Sequence, residues 1–247
     1  MKKTLPSLVL LFGMSLSVGM AASTITPKAA TYDKTGTTTI TDVVAGFTAP
    51  EQNSDKPVAP GTGNSDNPDT PTDNKGSEST ALLKMAYISD FNFDSHNVSA
   101  KNETYNAKLI QTAQGKSITP FVQISDNRGL NSGWNLTVKQ DSQFKTQDGK
   151  ALKGAYVQFK APFLQNMDGK DISSTIMPDE AKLTADGTSM PIITAQPGSG
   201  QGMTYGLFGT DQGDGTTDGT QMVVQGGTAL AGQYKTTLTW ALSSVPA

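Results

Sequence analysis

The 247-residue chain contains no cysteine. That excludes disulfides, thiol nucleophiles and thiolate metal sites, so the fold must rest on its apolar core alone. There is one histidine, His96. A metal centre needs several converging ligands, and a Ser-His-Asp triad needs a nucleophile in a recognisable setting. No Gly-x-Ser-x-Gly elbow and no phosphate-cradling glycine loop is present. Positive charge is scarce as well. The 19 Lys and Arg are outnumbered by 22 Asp and Glu, for a net charge of −3. Such a surface has no electrostatic attraction for nucleic acid or an anionic membrane. Beyond the first two dozen residues there is no second long apolar run, so no membrane span is expected in a mature form. No cofactor is implied by any motif.

The opening "MKKTLPSLVLLFGMSLSVGMAAST" has the make-up of a secretory signal peptide. Lys2 and Lys3 are basic, Leu8 to Val18 is apolar, and Gly19, Ala21 and Ala22 are the small residues that a cleavage site uses. Residues 1–22 are therefore set aside from the fold, and a secreted protein is expected. The terminal "TWALSSVPA" carries no Leu-Pro-x-Thr-Gly sorting signal with its apolar stretch and basic tail. Retention on a cell would then be non-covalent.

Residues 23–49 include "GTTTITDVVAGF", 36–47, whose β-branched residues predict one strand. The piece is too short to be a domain and is expected to pair into the later sheet. Residues 50–80 are rich in Pro, Asp, Asn and Thr, and their only apolar side chains besides proline and alanine belong to Val58. So little apolar surface does not offset the entropy of ordering, which predicts a disordered linker or loop; partial packing as an ordered loop is the alternative.

The main body, 81–247, reads as short strands divided by Gly, Asn and Asp turns. "ALLKMAYI" sets Leu83, Met85 and Tyr87 on one face, and "GAYVQFK" sets Ala155, Val157 and Phe159 together. "PDEAKLTA", 178–185, could form a helical turn or a short strand. The pattern predicts an all-β fold: one sandwich- or barrel-like domain of short antiparallel strands, with a long disordered loop near its N-terminus.

The chain has two tryptophans, and each is followed two residues later by leucine: Trp134-Asn135-Leu136 and Trp240-Ala241-Leu242. In a strand, residues i and i+2 share a face, so each pair makes a local apolar patch. Val138, Leu238 and Tyr234 are in phase with these patches, which favours a core face. The competing reading is an exposed platform for sugar rings or a protein partner, and one pair buried with the other near the surface is also allowed.

"SDNRGLNSGWNLTV", 125–138, and "YKTTLTWALSSVP", 234–246, resemble the two signature segments of the WxL-domain family, surface proteins of low-GC Gram-positive bacteria. The resemblance extends to the signal peptide, the Pro/Asp/Thr-rich segment and "YISDFNFDSHNVSA" before the first motif. It implies an all-β, non-enzymatic domain that attaches non-covalently to the cell wall by binding peptidoglycan, and that is often associated with other secreted surface proteins. The motif residues carried over are Trp134, Leu136, Trp240 and Leu242, with Asp126, Arg128 and Gly129 in the turn before the first pair. Two departures stand out. Phe93-Asp94 replaces the usual Phe-Gly, and Leu242-Ser243-Ser244-Val245-Pro246 replaces an ending closer to Leu-Ser-Asp-Ala-Pro.

Arg128 is the cation best placed for wall carboxylates, although a structural pair with Asp126 competes for it. Asp211, Asp214 and Asp218 in "DQGDGTTDGT" miss the EF-hand spacing, and a solvated loop is the better reading. Function is thus expected to be wall attachment. The alternative is a subunit of a surface complex whose main ligand is another secreted protein, and a wall hydrolase would need a cleft with converging carboxylates.

Overall fold

The computed structural model describes residues 28–244 except 33, 64, 161, 171, 173, 174, 177 and 178. The signal peptide expected over residues 1–22 and the terminal Val245 and Pro246 lie outside the described residues. Strands are the only helical or sheet elements among those residues. In chain order they are β1 (Thr31–Tyr32), β2 (Thr39–Ile40), β3 (Leu83–Ile88), β4 (Glu103–Lys108), β5 (Ile110–Gln111), β6 (Ser117–Ile118), β7 (Phe121–Asp126) and β8 (Trp134–Gln140). There follow β9 (Tyr156–Lys160), β10 (Phe163–Asn166), β11 (Thr175–Ile176), β12 (Glu180–Lys182), β13 (Met190–Ala195), β14 (Gly202–Leu207), β15 (Thr216–Val224) and β16 (Leu238–Ser243).

The chain divides into two units, residues 1–48 and 49–247. In the first, β1 and β2 form their own antiparallel pair, with Thr31 opposite Ile40 and Tyr32 opposite Thr39. The strand expected over 36–47 is thus confined to Thr39–Ile40, and its sheet partner is β1 rather than a strand of the later sheet. A partner in the same short segment costs little closure entropy.

In the second unit, three four-stranded antiparallel sheets run in the orders β10-β14-β7-β3, β11-β13-β8-β16 and β12-β9-β15-β4; β5 and β6 add a small pair. Side chains from all three four-stranded sheets close on one core, including Val122, Ile124, Trp134, Leu136, Val138, Val157, Phe159, Leu164 and Ile193. The first two sheets press together at Gly206, where a Cβ would lie 2.6 Å from Ile193 Cδ1 and 3.1 Å from Val122 Cγ1. The alternation predicted for β8 and β9 is what builds this core, with Trp134, Leu136, Val138, Val157 and Phe159 all buried.

One expectation is corrected, and two open alternatives are decided. Tyr87 does not share a face with Leu83 and Met85. The β3–β7 register shifts between Met85 and Tyr87, so Tyr87 lies opposite Gln123 while Ile88 returns opposite Val122. One extra residue in the bulge flips the side chains that follow it. Tyr87 then packs with Phe121, Tyr205 and Ile110 in a second, smaller cluster, while Leu83 and Met85 pack on the main core.

The 178–185 stretch contains a strand and no helix. Pro178 is outside the described residues, but Glu180–Lys182 pairs with β9, and the alternately placed Ala181 and Leu183 are both buried. A period of two suits a strand and would scatter these side chains around a helix.

The 50–80 segment is a loop, as composition predicts, but not a disordered one. It is tied to the β3-β7 face by polar groups. The Gln123 carboxamide accepts from Val58 N at 2.9 Å and donates to Lys56 O at 2.9 Å. Asn53 Nδ2 donates to Ser125 Oγ at 2.8 Å, and the Ser125 hydroxyl donates to Asp55. Lys84 is buried, and its ammonium donates to the carbonyls of Asn53, Asp55 and Ser79 at 2.8–3.0 Å. Burial lowers the Lys84 pKa from its ordinary value. The composition rule counts apolar side chains; this strap is held instead by backbone groups satisfied by side chains of the sheet.

Candidate functional site

The two Trp-x-Leu segments, about a hundred residues apart in sequence, are adjacent antiparallel strands. Trp240 lies opposite Val138 and Leu242 opposite Leu136. Directly opposed residues in such a pair point to the same face, so both motifs face the core. Their depths differ. Trp134 and Leu136, on the inner strand β8, are fully buried. Trp240 and Leu242, on the edge strand β16, are half-buried against the same core.

The start of β8 is locked by close approaches. The Trp134 indole N–H donates to Gly200 O at 2.9 Å. Gly133 has φ 79°, and a Cβ on it would sit 2.2 Å from Ala195 O. Only glycine satisfies both demands. Gly133 also offers its carbonyl to Arg128, at 2.8 Å from one terminal amino group. That same guanidinium is bidentate on Asp126, through Nε at 2.8 Å and the terminal amino group at 2.7 Å. Donating these hydrogen bonds to Asp126 raises the Arg128 pKa still further. Asp126 is buried and only 13% of the Arg128 side chain is exposed, so this pair closes the turn into β8. On the outward face, the Asp141 carboxylate accepts from the Thr237 and Thr239 hydroxyls at 2.8–2.9 Å, fastening the segment that enters β16 to the end of β8. The Thr239 bond is the main cause of a lowered Asp141 pKa.

Trp240 lies in an aromatic cluster with Phe159 at 5.6 Å between ring centroids, Phe208 at 6.0 Å and Phe91 at 6.4 Å. It also lines an open groove of about 1410 Å³. One wall is the 88–98 segment, and the other is 229–238, the approach to β16. The lining combines Trp240, Phe91, Tyr105 and Tyr234 with the exposed Lys145 and Lys235. His96 stacks on Tyr105 with centroids 3.8 Å apart, and its Nε2 is hydrogen-bonded to Phe93 O, which fixes it as part of the wall. Val98 and Leu230 are exposed apolar side chains on opposite walls. Asp90, at the groove, has a raised pKa from burial and from the neighbouring Asp73 charge.

Of the six residues singled out in the sequence, then, Trp240 alone lines the groove. Trp134, Leu136, Asp126 and Arg128 hold its scaffold, and Leu242 borders a smaller cleft of about 270 Å³ beside Leu83 and Met85. The groove walls were not singled out. The signal was the "YISDFNFDSHNVSA" stretch, whose Phe91 and Phe93 alternate as in a strand although residues 89–99 form none. Among the described residues no group of three His, Asp or Glu is placed to hold a metal ion. Asp211, Asp214 and Asp218 each accept from nearby backbone N–H groups.

These features define an all-β domain in which two paired Trp-x-Leu strands carry an aromatic groove. A family model described as WxL domain surface cell wall-binding matches residues 33–246, nearly the whole chain, and the chain belongs to that family. Comparison with curated proteins and with solved structures found no match. The protein is accordingly a surface protein with a cell wall-binding domain. Among the described residues no helix is long and apolar enough to cross a membrane.

Proposed function

We propose that the domain attaches non-covalently to peptidoglycan, without catalysing any reaction, and that the groove between 88–98 and 229–240 is where it does so. The observation that supports this is the lining: aromatic rings beside exposed lysines in one open groove. Sugar rings present C–H faces to Tyr234 and the His96–Tyr105 stack. Lactyl and stem-peptide carboxylates meet Lys145 and Lys235 as charge-assisted hydrogen-bond acceptors. Arg128 is spent on Asp126 and is no part of the contact surface.

Co-sedimentation of the chain from Ser23 onward with purified peptidoglycan tests this. Wild type should pellet, and the K145E/K235E and H96A/L230A variants should remain in the supernatant while melting like wild type. A wild-type protein that stays in solution, or groove variants that pellet fully, would remove the groove from consideration. The alternative, a subunit of a surface complex with another secreted protein as main ligand, is supported by the edge position of β16.

A further inference from the structure

Two features of the molecule are each incomplete. The first is the side of the sandwich between β3 and β16. Both strands end their sheets, and β8 is the single strand neighbour of β16 among the described residues. Leu83 and Met85 on β3, and Leu238, Trp240 and Leu242 on β16, pack on the core but stay half-buried. The 270 Å³ cleft opens between them, lined by Leu83, Met85 and Leu242. A core side flanked by two such edges is one strand short of cover.

The second feature is the segment Thr41–Thr48. It has no regular structure, yet it reads "TDVVAGFT". Five of the nine large apolar side chains exposed among the described residues fall in Tyr32–Phe47, with Val43 94% and Phe47 96% exposed. Val43, Ala45 and Phe47 alternate, so as a strand they would share a face. Eight extended residues span roughly 26 Å, enough to run the length of β16.

We propose that residues 41–48 of one copy add as a strand to the β16 edge of a second copy, covering the open side of its sandwich. An antiparallel addition sets Val43, Ala45 and Phe47 on the same face as Leu242, Trp240 and Leu238, with the smallest of the three across from the indole. Main-chain hydrogen bonds supply affinity and the alternating side chains supply register. The chain's own segment fits less well. Asn53 is fixed to Leu82 O and to Ser125, at the end of the slot where β16 finishes. A segment entering from there with its C-terminal end leading back to Asn53 runs parallel to β16. Every strand pair among the described residues is antiparallel. A second copy has no such constraint. Donor segment and acceptor edge are different surfaces, so copies can add head to tail.

The chain from Ser23 onward is to be followed by sedimentation velocity across the micromolar range. Wild type should show concentration-dependent association that V43D/F47D abolishes without changing the melting temperature. Register is tested by disulfide formation, which the cysteine-free chain makes clean. Val44 and Ala241 face outward in the proposed pairing. Mixing the V44C and A241C single variants should give a cross-linked heterodimer under mild oxidation. Association that survives V43D/F47D, a wild type that stays monomeric, or a V44C/A241C double variant that closes on itself as a monomer would each overturn the proposal. No wall material enters these measurements, so their failure leaves the groove assignment standing.

Discussion

Replacing Trp134 separates a structural motif from a contact motif. Its side chain is fully buried and its indole N–H is satisfied by Gly200 O. Truncation to alanine removes the ring from the centre of the main core and leaves a cavity between β8 and its neighbours. The expected loss is about 3–5 kcal/mol, the usual range for a large aromatic in a core. For a domain of this size each kcal/mol lowers Tm by roughly 2–4 °C, so the melt should shift down by roughly 6–20 °C. W134F keeps most of the ring volume but deprives the Gly200 carbonyl of its donor, at about 1–3 kcal/mol. Differential scanning calorimetry gives both shifts, and peptidoglycan co-sedimentation well below each variant's Tm gives binding. Tm should fall in the order wild type, W134F, W134A, and the folded fraction of each should still pellet. A W134A variant with wild-type Tm and no binding would show that the indole touches ligand, and the assignment of this motif to the scaffold would be wrong.

Other consequences are separable from this one. R128A strands the buried Asp126 carboxylate and should cost about 2–4 kcal/mol in urea titration, less than a wholly buried pair because part of Arg128 stays in water; R128K, lacking the fork, should recover only part of it. Asp186 is held at about 2, chiefly by the Thr184 hydroxyl, against an ordinary 3.8. A depressed carboxyl stabilises the fold above pH 3.8 and loses that contribution as pH falls towards 2. The Tm difference between wild type and D186N should therefore be present at pH 5 and vanish near pH 2. The strap should resist limited proteolysis in wild type and be cut within residues 50–80 in K84A, which frees three carbonyls at once; equal cleavage rates would mean that Lys84 does not anchor it.

The alternation in "WNLTV" and "TLTWAL" was enough to set each tryptophan and its leucine on one strand face, and the in-phase Val138 and Leu238 marked that face as apolar. The glycine before Trp134 could be read as a turn. Its need to be glycine could not, because that depends on Ala195 O, sixty residues away. Residues 50–80 hold no named strand, yet composition registers only apolar burial and is blind to a strap held by Gln123, Ser125 and Lys84. The Tyr87 face was misread because a bulge is set by the pairing partner rather than by the pattern of its own strand.

Alone, then, the sequence determined the β class, the periodic faces and, through the extended motif segments, the family, while leaving open whether the motif tryptophans were core or contact residues. These are local signals, carried by spacing within a strand. Tertiary structure decided that the two motifs are neighbours in register, that one is central and the other at an edge, and that 88–98 and 229–238 face each other across a groove. Two strands with the same alternation differ in exposure only by their place in the sheet order. That order is fixed by pairings between residues a hundred positions apart, which no local period encodes.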